Sequence, residues 1–156
     1  MHTVELLLDA GLERGVRELW NRLRDAGLPS LATHTHPTNR PHLTVLTAAS
    51  LDGLAPLPLP ITAELGPVRM LGRALVREVQ PTAELRDLHA GVAASLAGID
   101  AREWTPHVSL ALRVPEDRRA EALDLLANEP PAAGRFVAAR SYDTRTRTVT
   151  GIDGHH

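Results

Sequence analysis

The residues best suited to chemistry occur twice. Residues 41 to 45 read Pro-His-Leu-Thr-Val, and residues 106 to 110 read Pro-His-Val-Ser-Leu. On a strand, residues two apart face the same way. His42 therefore shares a face with Thr44, and His107 with Ser109. Leu43, Val45, Val108 and Leu110 face the opposite side, toward a core. A strand buried on both faces rarely carries an imidazole and a hydroxyl side by side, whereas the floor of a cleft does. A single His-x-Thr is common by chance. Two copies, each preceded by proline and each entering an apolar strand, point to a pair that works together.

That set suits phosphoryl transfer. In-line displacement at phosphorus needs one group to take a proton from the attacking oxygen and another to give a proton to the leaving oxygen. Histidine suits both roles because its ordinary pKa lies near neutrality. Hydroxyls and nearby arginines hold the non-bridging oxygens and offset developing charge. Strand alternation puts Arg40 on the His42 face and Arg113 on the His107 face, so both are candidate phosphate ligands beside Thr44 and Ser109. No metal is required.

The elements that must position these residues follow from hydrophobic periodicity. Val4 to Asp9 is strand-like. Residues 11–27 form an amphipathic helix, with Leu12, Val16, Leu19, Trp20 and Leu23 on one stripe and Gly27 as its stop. Residues 28–41 are a loop, and 42–48 a strand. Pro56, Pro58 and Pro60 make residues 50–60 an extended linker. Ile61 to Leu71 and Arg73 to Gln80 are two strands around a turn at Gly72. Residues 82–97 are helical, Val108 to Val114 is a strand, and 116–128 is a helix with Glu116 and Asp117 in its first turn. Arg135 to Ile152 forms one or two strands. The pattern is α+β, with strands and helices split into two halves. The final Gly154-His155-His156 reads as a tail outside the fold.

The chain has 156 residues, 43% of them hydrophobic. That is enough for one folded domain spanning residues 1–156. Cysteine is absent, which excludes disulfides, thiol nucleophiles and cysteine-held metals. Lysine is absent too, so all 17 basic residues are arginines. A GC-rich genome accounts for that usage, but the chemical consequence stands: no P-loop, no Schiff base and no nucleotidyl-lysine intermediate. A net charge of −2 argues against a broad grip on long nucleic acid. A nucleotide or RNA end remains within reach of a local arginine cluster. Neither a signal peptide nor a membrane-spanning stretch is visible, so a cytoplasmic monomer without membrane contact is the expectation.

Other constellations compete. His34, His36 and His42 could hold zinc, but Pro37 makes that segment a loop and no carboxylate sits near it in sequence. A loop at the lip of the cleft is the better reading, and no metal or other cofactor is expected. His89 lies on a helix and reads as structural. Trp20 reads as core. Trp104 and Tyr142 are candidate stacking platforms for a base, against the plainer reading of core or edge packing. Of the arginines at 69, 73, 77, 135, 140, 145 and 147, most read as solvated and one or two as cleft-lining.

The motifs His42-Leu43-Thr44-Val45 and His107-Val108-Ser109-Leu110 resemble those of the 2H phosphoesterase superfamily, in its 2′-5′ RNA ligase and RNA 2′,3′-cyclic phosphodiesterase group. The element order resembles it over nearly the whole chain. The resemblance implies a bilobal, pseudo-symmetric α+β fold, with two antiparallel sheets forming a central cleft and helices packed outside. It implies a phosphoric diester hydrolase acting on RNA ends or small cyclic nucleotides, with His107 as base and His42 as acid, an order the residues themselves leave open. The same groups run in reverse would join an RNA 5′-hydroxyl in a 2′-5′ linkage. Two departures stand out. The proline-rich linker replaces or shortens a helix common after the first motif. Leu112 occupies the place, five residues after the second histidine, where the family often has arginine. Two other readings stay open: a relative acting on a small nucleotide, such as an ADP-ribose cyclic phosphate or a 2′-5′ oligoadenylate, and a non-catalytic module that binds RNA ends.

Overall fold

Apolar residues at alternate positions, Leu43/Val45 and Val108/Leu110, build the two strands that carry the histidine motifs. The computed structural model describes residues 1–97, 99 and 103–152; the tail from Gly154 lies outside them. The order is β1 (His2–Leu8), α1 (Ala10–Asp25), β2 (His42–Ala48), β3 (Ile61–Leu71), β4 (Ala74–Val79), α2 (Ala83–Ser95), β5 (His107–Ala111), α3 (Arg119–Leu125), β6 (Ala132–Asp143) and β7 (Thr148–Ile152). Short 3-10 turns at Leu31–Thr33 and Glu116–Arg118 precede β2 and α3. Sequence periodicity thus located every α-helix and strand to within a few residues, and the proline-bearing chain between β2 and β3 contains a turn but no helix or strand.

All strand pairs are antiparallel, in the order β1-β2-β5-β4-β3-β6-β7, and β1 also pairs with β6. Six strands therefore close a ring, with β7 attached outside it. The expected halves are both present, β1/β2/β6/β7 and β3/β4/β5. They meet twice, at β3 and β6 through five registered pairs and at β2 and β5 through one, Leu43 with Val108. The strands that carry the two histidine motifs form the narrower seam between the halves.

α1 buries Leu12, Val16, Leu19, Trp20 and Leu23, the stripe its periodicity marks out. Its cap has two jobs. Asp9 Oδ1 accepts the Leu12 N–H at 2.9 Å, satisfying a free helix-end donor. Asp9 Oδ2 accepts the Arg135 N–H at 2.8 Å and so ties the helix to β6. Gly134 is required beside this carboxylate, because a Cβ there would collide with Asp9 Oδ2 and the Leu12 side chain. Gly27 ends the helix in the left-handed region at φ 73°.

Arg77 departs from the solvated reading given to most arginines. It is 2% exposed. Its guanidinium donates to Gly66 O at 2.9 Å and Pro130 O at 2.6 Å, and approaches Glu129 at 3.4 Å. β4 is covered on both faces here, so its charge is compensated by carbonyls and one carboxylate instead of water.

Candidate active site

β2 and β5 carry the same pattern of exposure: His42 and Thr44 half-buried with Leu43 and Val45 buried, His107 and Ser109 half-buried with Val108 and Leu110 buried. Antiparallel pairing of Leu43 with Val108 sets His42 opposite Ser109 and Thr44 opposite His107. The two imidazoles are then diagonal neighbours on one surface, about 7–8 Å apart at the backbone by strand geometry. Among the described residues neither hydroxyl has a hydrogen-bond partner, which leaves both available to a ligand.

The two halves anchor their residues in the same way. His42 Nδ1 lies 2.8 Å from Arg40 O, and His107 Nδ1 lies 2.7 Å from Thr105 O. A carbonyl only accepts, so each Nδ1 carries hydrogen, and among the described residues neither Nε2 makes a hydrogen bond. Trp20 Nε1 donates to Ser109 O at 3.1 Å, and Trp104 Nε1 donates to Thr44 O at 3.1 Å. An indole thus braces the backbone of each motif.

The repeat extends to a defect in the strands. The register of β1 on β2 shifts between Val4 and Glu5, and that of β4 on β5 shifts between Leu75 and Val76. In both motif strands two successive residues are then buried, Val45-Leu46 and Leu110-Ala111. Such bulges flip the phase of everything beyond them. This corrects the expectation for Arg113. Strict alternation puts it on the His107 face, but the bulge at Leu110-Ala111 turns Leu112 toward the cleft instead. Leu112 lines the hollow beside His42 and Ser109. Arg113 is exposed beyond the end of β5.

Two hollows flank the seam. One, of about 470 Å³, is lined by His42 and Ser109, and also by Arg40, Arg140, Tyr142 and Arg147. His34 and His36 stand at its lip. Among the described residues no group of three potential metal ligands converges, there or elsewhere. The other, of about 380 Å³, is lined by Thr44, His107, Trp104 and His89. Arg40 reaches its hollow but is held by Glu13 at 2.5 Å. Tyr142 stands in the first hollow and Trp104 in the second, so the two candidate platforms lie on opposite sides of the histidine pair.

Sequence reasoning missed Glu5 and left Arg140 among the unassigned arginines. Glu5 is 4% exposed. Its Oε1 accepts from Arg140 Nε at 2.8 Å, and its Oε2 accepts from Thr3 Oγ1 at 2.8 Å. The same Oε2 lies 3.7 Å from His42 Nε2. A carboxylate inside the apolar run Val4-Glu5-Leu6-Leu7 is the one signal that could have found it.

Trp104 is stacked, but on protein: its ring lies 4.0 Å from that of His89, at 4° to parallel. His89 thus packs its ring against an indole, as the structural reading of its helical setting expects. Burial pushes its imidazole below the ordinary histidine value. The unfolded chain takes up a proton near about pH 6.5, which the folded ring resists, so below that pH the unfolded state binds more protons. The stability His89 contributes is complete above that point and is lost as pH falls. Between about pH 7 and 5 the wild-type melting temperature is expected to drop more steeply than that of His89→Phe. Parallel slopes would show that His89 is not linked to folding.

No helix among the described residues is long and apolar enough to cross a membrane. No curated protein matches the chain in sequence. Among solved structures, the MHV ns2 PDE domain superposes over 97% of this chain and 99% of that one, with a TM-score of 0.62 and 18% identity. At that identity the likeness is one of fold, and it supports the α+β architecture inferred from the element order. Residues 12–142 match the 2′-5′ RNA ligase superfamily, a span that includes both histidine motifs and most of the ring. The chain belongs to the 2′-5′ RNA ligase superfamily.

Proposed function

We propose that this protein is a phosphodiesterase that opens RNA 2′,3′-cyclic phosphate ends by acid–base catalysis between His42 and His107, without a metal. The observation that carries the reading is the matched anchoring of the two imidazoles. Each gives its Nδ1–H to the carbonyl two residues earlier, and each keeps Nε2 for the substrate. In hydrolysis, one Nε2 takes a proton from water as it attacks phosphorus. The other gives a proton to the departing ribose oxygen, leaving a monoester. His107 as base and His42 as acid is the order the family resemblance implies. Thr44 and Ser109 hold the non-bridging oxygens. Run backward with an RNA 5′-hydroxyl, the same transfers make a 2′-5′ linkage, but water greatly outnumbers RNA ends and hydrolysis dominates.

Superfamily membership and the likeness to a PDE domain support phosphodiester chemistry in general. The hollows on both sides of the pair also favour a second reading, a diester joining two small nucleotide groups, such as a 2′-5′ oligonucleotide. We further propose that the protein acts as a cytoplasmic monomer and that the chain forms one domain of two lobes. The test is turnover by the purified protein of a 2′,3′-cyclic nucleotide, a cyclic-phosphate RNA end and a 2′-5′ dinucleotide, each with EDTA present. Turnover of at least one with the chelator is the expected result. Loss of turnover with EDTA, restored by zinc, would overturn the metal-free scheme and return attention to His34 and His36. Binding of RNA ends with no turnover under any condition would make the protein a non-catalytic end-binding module.

A further inference from the structure

We propose that the hollow beside His42 contains a second anion site, formed by Arg147, His34 and His36, that takes a phosphate of the substrate other than the one between the histidines. It rests on the reading above only in taking that central phosphate as the reacting one.

Three observations support the site. The first is its charge. The hollow is lined by Arg40, Arg140 and Arg147 against a single carboxylate, Glu5, in a chain of net charge −2. Two of these arginines are already committed, Arg140 to Glu5 and Arg40 to Glu13. Among the described residues Arg147 has no carboxylate within ion-pair range, so its guanidinium remains for a ligand. The second is construction. Arg147 enters from the turn between β6 and β7, where its N–H is held by Asp143 O at 2.8 Å. The histidines enter from the loop before β2. Asn39 staples that loop by donating to Leu31 O at 2.8 Å and His34 O at 2.7 Å. The His36 ring is oriented by the Thr38 hydroxyl at 2.7 Å. The backbone of both walls and the His36 ring are thus fixed before any ligand arrives, which lowers the cost of binding. The third is contrast. Among the described residues, the hollow beside His107 is lined by Trp104, His89, Leu71 and Glu103 and by no arginine. A substrate with one phosphate-bearing arm and one bare arm would bind in a single direction.

The first hollow, at about 470 Å³, is large enough for a nucleotide arm and not only a phosphate. The substrate class that follows is a diester in which the group on the His42 side carries a further phosphate monoester.

Adenosine 2′,5′-bisphosphate and adenosine 2′-monophosphate probe the site by calorimetry without requiring turnover. The wild type is expected to bind the bisphosphate about tenfold or more tightly, the scale of a charge-assisted contact. Arg147→Gln should remove most of that advantage with a much smaller change for the monophosphate, and His34→Gln/His36→Gln should remove part of it. Equal affinities in the wild type, an advantage unchanged in both variants, or no binding of either ligand would overturn the proposal. The catalytic reading fails separately, through absent turnover in the chelator assay. A bisphosphate advantage in a protein that turns nothing over would retain the site and discard the reaction.

Discussion

Alanine at His42 or at His107 is expected to lower turnover of a 2′,3′-cyclic nucleotide by about 10²–10⁴-fold, the range for loss of one positioned proton-transfer group. Each ring is the only imidazole on its motif strand, and its Nδ1 is committed to a carbonyl. No side chain of similar chemistry occupies the same register position to take over. The double variant is expected to be little worse than either single one, because once one transfer is missing the other has nothing to couple to. Thr44→Ala and Ser109→Ala should cost less, since each removes a hydrogen bond to phosphate and leaves both transfers in place. Both histidine variants should melt close to the wild type, as each ring is half-exposed. Near-normal turnover in His42→Ala with none in His107→Ala would discard the two-histidine scheme in favour of a single base.

Glu5→Ala is expected to cost about 3–5 kcal/mol of stability, the scale for breaking a buried ion pair from one side. Arg140 is 8% exposed and sits on β6 directly across from Glu5 on β1. Among the described residues no other carboxylate pairs with that charge, and the ring closes at this strand pair. Thr3 loses its acceptor in the same step. Replacing both members, as Glu5→Leu with Arg140→Met, should recover much of the loss, because apolar side chains of similar volume carry no desolvation penalty. Denaturant midpoints of the two variants decide the matter. A Glu5→Ala midpoint equal to wild type would mean that water reaches the pair and compensates it.

What could be read in advance was whatever repeats along the chain with a fixed period. The α1 stripe from Leu12 to Leu23 and the face shared by His42 and Thr44 follow from helix and strand geometry alone. The bulges were not legible, because an extra residue in β5 is defined only against β4, far away in sequence. Arg113 was misplaced for that reason, and Leu112, noted in sequence only as a departure from the family's arginine, lines the hollow instead. Glu5 was obscured by its neighbours: within Val4-Glu5-Leu6-Leu7 it reads as an interruption until β6 brings Arg140 beside it. Trp104 had two plausible roles in sequence. Its partner, His89, comes from α2, and only the packing of that helix beside β2 brings the rings together.

The closed ring also governs how one copy of the chain meets another. A strand whose hydrogen-bonding edge is open can template the addition of a second chain, and so start aggregation. Here β1 and β6, which would be the ends of an open sheet, are joined to each other. Among the described residues β7 alone has a wholly open edge. It is five residues long, reads Thr-Val-Thr-Gly-Ile, and is mostly polar or small. A glycine within so short a strand weakens any pairing with a newcomer. The arrangement that holds two histidines on a narrow seam therefore leaves neighbouring copies little on which to extend a sheet.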